Sequence, residues 1–144
     1  MRKGVTLIEM VLALVVMGLL ASWAVPKLSA WADWIAVESA TREVTSFYAA
    51  ARFAAAQRGT RIRVQFAADS LRAVFEGRRD SVFRVRPGPR ARGVSLTASQ
   101  TVVRIGPSGY GWAAGNTSVV LKRGKLVDSV IISRLGRVRR SRGG

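Results

Sequence analysis

The sequence predicts an α+β fold: a long N-terminal helix, membrane-embedded over its first half, packed on a C-terminal antiparallel β-sheet domain. Three observations carry this expectation. An apolar run from Val5 to Val25 follows the short basic stretch Met1-Arg2-Lys3-Gly4. From Lys27 to about Gln57 neither glycine nor proline interrupts the chain, and alanine is abundant. After Gly59 the apolar period changes from that of a helix to the alternation of strands.

A chain of 144 residues is one domain by length. The apolar segment leaves roughly 115 residues, enough for a modest core. Cysteine and histidine are both absent, which removes disulfides, a thiol nucleophile, the commonest general base and the commonest zinc ligand. Asp69, Glu76 and Asp80 sit in or beside arginine-rich turns and read as solvated ion partners. Asp128 has no second carboxylate at useful spacing. Gly106 to Gly111 lacks the Lys-Ser/Thr and strand-to-helix context of a phosphate loop. No catalytic residue, metal site or cofactor is therefore expected, and an enzyme is not the reading.

At the N-terminus, the apolar run would span a hydrocarbon core of about 30 Å as a helix rising about 1.5 Å per residue. Arg2 and Lys3 on its short side predict a cytoplasmic N-terminus and an exported bulk. A secretory signal is the rival, since Ser22-Trp23-Ala24 is a passable cleavage site. Glu9 argues against it. A carboxylate in an apolar segment costs about 2.5–3.5 kcal/mol when central and less near an end, and a disposable signal has no reason to bear that. Intramembrane ionisable residues usually have a partner and a task.

Gly4-Val5-Thr6-Leu7-Ile8-Glu9 resembles the processing site of type IV pilins and type II secretion pseudopilins. The resemblance implies that residues 1–4 are a prepilin leader, removed by prepilin peptidase between Gly4 and Val5, with N-methylation of Val5. It implies that Glu9 pairs with the N-terminal amine of a neighbouring subunit during assembly, which makes a buried carboxylate tolerable. Val5 departs from the phenylalanine or methionine more usual there. Pro26 falls where many pilins carry a proline. Inside a helix it would bend the segment by removing a hydrogen bond; alternatively it marks the first turn of a separate helix.

Residues 26–58 read as the second, amphipathic helix half. Leu28, Trp31 and Ile35 fall at helical spacing, as do Val44, Phe47, Tyr48, Ala51 and Ala55, and Arg58-Gly59 supplies the stop. Trp23, Trp31 and Trp34 cluster at the expected membrane exit, where an interfacial role and a core role are both open. Residues 59–133 read as the β domain, with strands over 60–67, 71–76, 81–86, 94–98, 101–105, 118–122 and 126–133. Pro87-Gly88-Pro89 is a break, and Arg123-Gly124-Lys125 joins the last pair as a hairpin. This layout is pilin-like. Gly111-Trp112, Asn116 to Leu121, and Val130 to Ser133 before Gly136-Arg137-Val138-Arg139 resemble the H-type minor pseudopilin (GspH/FimT) family.

Twenty-four basic residues face eight acidic ones, a net charge of +16. The excess is nearly all arginine, which fits both attraction to phosphate or an acidic partner and the composition of a GC-rich genome. Arg134, Arg137, Arg139, Arg140 and Arg142 fall in residues 134–144, which read as a flexible basic tail. The resemblance implies that a Gly-Arg-x-Arg motif there contributes to DNA binding in FimT-type pilins of transformable bacteria. Losing Arg2 and Lys3 with the leader takes +16 to +14, a charge that favours a sparsely used, minor subunit over the major one. The expected function is a minor subunit of a type II secretion pseudopilus or type IV pilus, for protein secretion. The alternative is a DNA-binding minor pilin for DNA uptake. Expected partners are other pilins or pseudopilins, prepilin peptidase and the inner membrane, with DNA as the partner under the alternative. The chain would be single-pass, with its C-terminal domain periplasmic before assembly.

Overall fold

The computed structural model describes residues 6–77, 79–111 and 115–143, and of 24–26 the backbone only. One helix, α1 (Leu7–Arg58), dominates it. Thr6 caps its start, the Oγ1 accepting from the Glu9 amide at 3.3 Å. Gly59 ends it in the left-handed region (φ 59°), where its amide reaches the carbonyls of Ala55 and Ala56. The helix passes through position 26 without interruption, so no separate helix begins there.

Eight strands follow: β1 (Arg61–Phe66), β2 (Ser70–Glu76), β3 (Ser81–Pro87), β4 (Ser95–Ala98), β5 (Val102–Ile105), β6 (Thr117–Arg123), β7 (Leu126–Ile132) and β8 (Val138–Gly143). They form two antiparallel four-stranded sheets, in the orders β3-β2-β1-β5 and β4-β6-β7-β8. Each expected strand is present with its ends moved by a residue or two. A short 3-10 turn, Pro89–Arg92, occupies the expected break. The hairpin through Gly124 (φ 58°) pairs Arg123 with Leu126, the two-residue loop that a positive-φ glycine favours.

The core lies where one face of α1 meets both sheets. Ala36, Val37, Ala40, Val44, Phe47, Tyr48, Ala51, Ala54 and Ala55 are buried, a spacing that keeps one stripe turned inward. The strands answer with alternate residues: Ile62, Val64 and Phe66 on β1, Val119 and Leu121 on β6, Val130 and Ile132 on β7. The alanines keep the helix surface low against the sheets. Burial does not begin at Leu28, however. Leu28, Trp31, Trp34 and Ile35 remain exposed, as does Trp23, so these three tryptophans are not part of the core.

The tail expectation requires correction. Residues 138–143 are β8, paired along β7 from Ile132↔Val138 to Val127↔Gly143. A run of arginines hid the alternation: Val138 packs against the core, and Arg140 and Arg142 reach acids on α1 and β7.

Gly88 is fixed by close approach rather than by an unusual φ. A Cβ there would stand 2.2 Å from the Ala68 carbonyl oxygen. Gly88→Ala should therefore destabilise the fold by about 2–3 kcal/mol, as forced overpacking does, read as a lowered unfolding midpoint in denaturant.

Candidate assembly helix and basic surfaces

Two features stand out: the uncovered half of α1 and the distribution of arginine over the β domain. From Leu7 to Trp23 the helix is exposed throughout, Leu7 at 82 % and Trp23 at 79 %. It is long and apolar enough to cross a membrane. This fits membrane anchoring.

Glu9 lies in the first turn of that segment. Among the described residues it is the one acid without an ion pair. Thr6 and Glu9 stand three apart at the helix start, the spacing of a capping box, and a carboxylate there also suits the positive end of the helix dipole. The sequence carried this signal as Thr-x-x-Glu. Gly4 and Val5 lie outside the described residues.

Every other acid meets arginine. Asp33 pairs with Arg123 at 2.7 Å, Asp69 with Arg90 at 3.0 Å, Asp80 with Arg63 at 2.7 Å, Glu76 with Arg104 at 3.1 Å, and Glu43 with Arg92. The densest network joins α1 to β7 and β8. Asp128 is 1 % exposed on the core side of β7. Its Oδ2 accepts from the Thr41 hydroxyl at 3.0 Å and from Arg140 Nε at 2.6 Å. The far nitrogens of Arg140 grip both Glu38 oxygens, with Nη1 at 2.9 Å from Oε1 and Nη2 at 2.5 Å from Oε2. Arg42 and Arg142 also bind Glu38, at 2.8 and 3.0 Å. Hydrogen bonds from Arg140 and then Arg42 hold the Glu38 carboxyl down to about 2, against 4.5 ordinarily. The Arg140 guanidinium is raised by its bonds to Glu38 and Asp128. Two carboxylates far apart in sequence thus share one cation, which no spacing rule could have shown.

This network divides the five C-terminal arginines. Arg140 and Arg142 are bound to acids of the fold. Arg134 lies in the β7–β8 turn, Arg137 just before β8, and Arg139 on β8 one residue out of phase with Arg140. All three are exposed, and none has an ion pair among the described residues. Gly136 has its own structural reason: its φ is 73°, and a Cβ would meet the Gly109 carbonyl oxygen at 2.9 Å. Arg52 closes this corner, its Nε donating to the Gly109 carbonyl at 2.8 Å and its Nη1 to that of Gly136 at 3.0 Å.

A long helix laid by its second half on antiparallel sheets, with its first half left bare, is the pilin fold. Residues 1–25 match the prokaryotic N-terminal methylation motif. In three dimensions the chain is similar to the type IV minor pilin FimU of Pseudomonas aeruginosa strain PAO1, solved in two crystal forms. The TM-scores are 0.63 and 0.61, at 16 % and 14 % identity, over 72 % of this chain and 86 % and 91 % of those chains. At such identity the likeness is one of fold. No curated protein matches the chain in sequence. The motif and the fold together support the type IV pilin-like superfamily.

Arg140→Ala should cost about 3 kcal/mol, because it strands a buried carboxylate, whereas Asp69→Ala at an exposed pair should cost less than about 1 kcal/mol; thermal unfolding compares them. Glu38 takes a proton near 4.5 when unfolded and near 2 when folded. Its contribution is therefore complete above pH 4.5 and is lost as pH falls toward 2. Glu38→Gln should flatten the fall in melting temperature across that window.

Proposed function

We propose that this chain is a minor subunit of the H-type pseudopilin (FimT-like) kind, assembling into a type II secretion pseudopilus or type IV pilus that serves protein secretion. The observation that carries the reading is the bare apolar half of α1 with one unpaired carboxylate, Glu9, near its start. Exposed apolar surface of this extent needs lipid before assembly and other helices afterwards. Residues 1–4 are the leader, cut by prepilin peptidase before Val5, which is then methylated. Glu9 meets the new amine of a neighbour, and Pro26 bends the helix at the membrane exit. The protein waits in the inner membrane with residues 5–25 spanning it and the β domain in the periplasm. Its role is structural rather than catalytic.

Substitution at the two ends of this motif separates its steps. Gly4→Leu should leave the full-length chain uncut, seen by mass as retention of residues 1–4 and loss of the methyl group. Glu9→Gln should be processed normally yet fail to enter sheared filaments. A Glu9→Gln chain that assembles at the normal level would refute the pairing role.

A second reading, DNA uptake, rests on Arg134, Arg137 and Arg139 being exposed and without acidic partners among the described residues. Removing one phosphate-binding arginine should lower the slope of log affinity against log salt by about 0.9. Arg137→Gln with Arg139→Gln should weaken binding of duplex DNA to the full chain in detergent and flatten that slope by up to about 1.8. Unchanged binding would remove the motif from any such role.

A further inference from the structure

A second concentration of arginine lies away from the C-terminus. A cleft of about 370 Å³ opens between α1 and β3, lined by Ser39, Arg42, Glu43, Ser46, Phe47, Arg84, Arg86 and Arg92. Its four arginines come from the helix, the strand and the 3-10 turn. Arg92 is paired with Glu43, and Arg42 with Glu38. Arg84 and Arg86 have no ion pair among the described residues; Arg84 lies over the Phe83 ring, 5.4 Å from its centroid. They stand opposite Ala73 and Leu71 of β2, residues of the core face, so both start from the side of the sheet that α1 covers. The helix does not reach across this edge strand. Phe83 of β3 packs against the core, but beyond it Arg84 and Arg86 stand about 7 Å apart on this side of the strand.

We infer that this cleft is a binding site for the phosphodiester backbone of a nucleic acid, separate from the C-terminal arginines. The inference goes beyond the proposed assembly role and does not depend on the Gly136–Arg139 motif. Arginine's planar fork matches phosphate oxygens in pairs, and a row of such forks along an open edge follows a regularly charged polymer. Other occupants fit less well. Lipid headgroups are remote, because Arg42 lies about 25 Å along the helix from position 25. A second copy of the chain has no acids to offer, since those of its β domain and of the second half of α1 are already paired. A protein interface would need an apolar anchor and a pocket to receive it. The one apolar residue of the lining, Phe47, is 3 % exposed.

The test uses the full chain in a nonionic detergent and a short fluorescein-labelled DNA duplex, followed by anisotropy from about 50 to 200 mM salt. Arg84→Gln with Arg86→Gln should weaken binding about tenfold or more and lower the salt slope by about 1.8. Arg84→Lys with Arg86→Lys should retain most of it. Melting temperatures close to that of the parent chain are expected, because neither guanidinium holds an ion pair. Three results would each overturn the inference: no DNA binding by the parent chain at low salt; full binding by the Arg84/Arg86 glutamine pair while the Arg137/Arg139 pair loses it; or preferential capture of a polyglutamate peptide of equal charge, which would mark the cleft as a dock for an acidic protein segment.

Discussion

A helix of fifty-two residues is about 78 Å long, and a β domain of this size, with a radius of gyration of about 12 Å, can cover only part of it. The rest of the architecture answers to that mismatch. Coverage begins at Ala36, and from there α1 presents alanines, valines and two aromatics to the sheets. Before that point the same continuous helix is largely apolar, and from Leu7 to Trp23 its surface is exposed on every side. One rod therefore lives in two environments, and the boundary falls where exposed tryptophans gather. Lipid or the helices of other subunits are the surroundings in which such a surface is stable.

The second requirement is that the domain hold the rod in one orientation. Apolar packing between a smooth alanine face and a sheet is weakly specific in rotation and register. The polar residues of α1 supply the specificity: Asp33 to the β6–β7 hairpin, Glu38 and Thr41 to β7 and β8, Glu43 to the 3-10 turn, Arg52 to two loop carbonyls. The Arg140 network is the most buried of these. It fixes geometry, and breaking it is costly because a buried carboxylate loses its cation.

This stitching also gives the arginine excess an internal structure. The few acids of the domain are all used, each by one or more arginines. Among the described residues, the guanidiniums without an ion pair include two groups: one before and along β8, and one on the inner side of β3. Composition shows the surplus, but only pairing shows which members are available to a ligand.

Much of the molecule is legible from local pattern. The N-terminal methylation motif, the apolar run and Glu9 are of this kind, as are the strand alternation of Ile62-Val64-Phe66 and the hairpin at Gly124. Such features depend on residues a few positions apart, so the long helix, its stop at Gly59 and the antiparallel domain after it are written in the chain directly. The last strand is not, because its inward residues are Val138, Arg140 and Arg142, and an inward arginine reads as a solvent residue until its acid is known. That acid, Glu38, lies on α1 at the far end of the sequence. Folding alone settles that Asp128 and Glu38 share a cation, that two of the five C-terminal arginines are ion-paired while three have no acid among the described residues, and that Arg42, Arg84, Arg86 and Arg92 converge. Each is a fact about distant residues brought together in space, and the energy of such pairings leaves no local periodicity to be read.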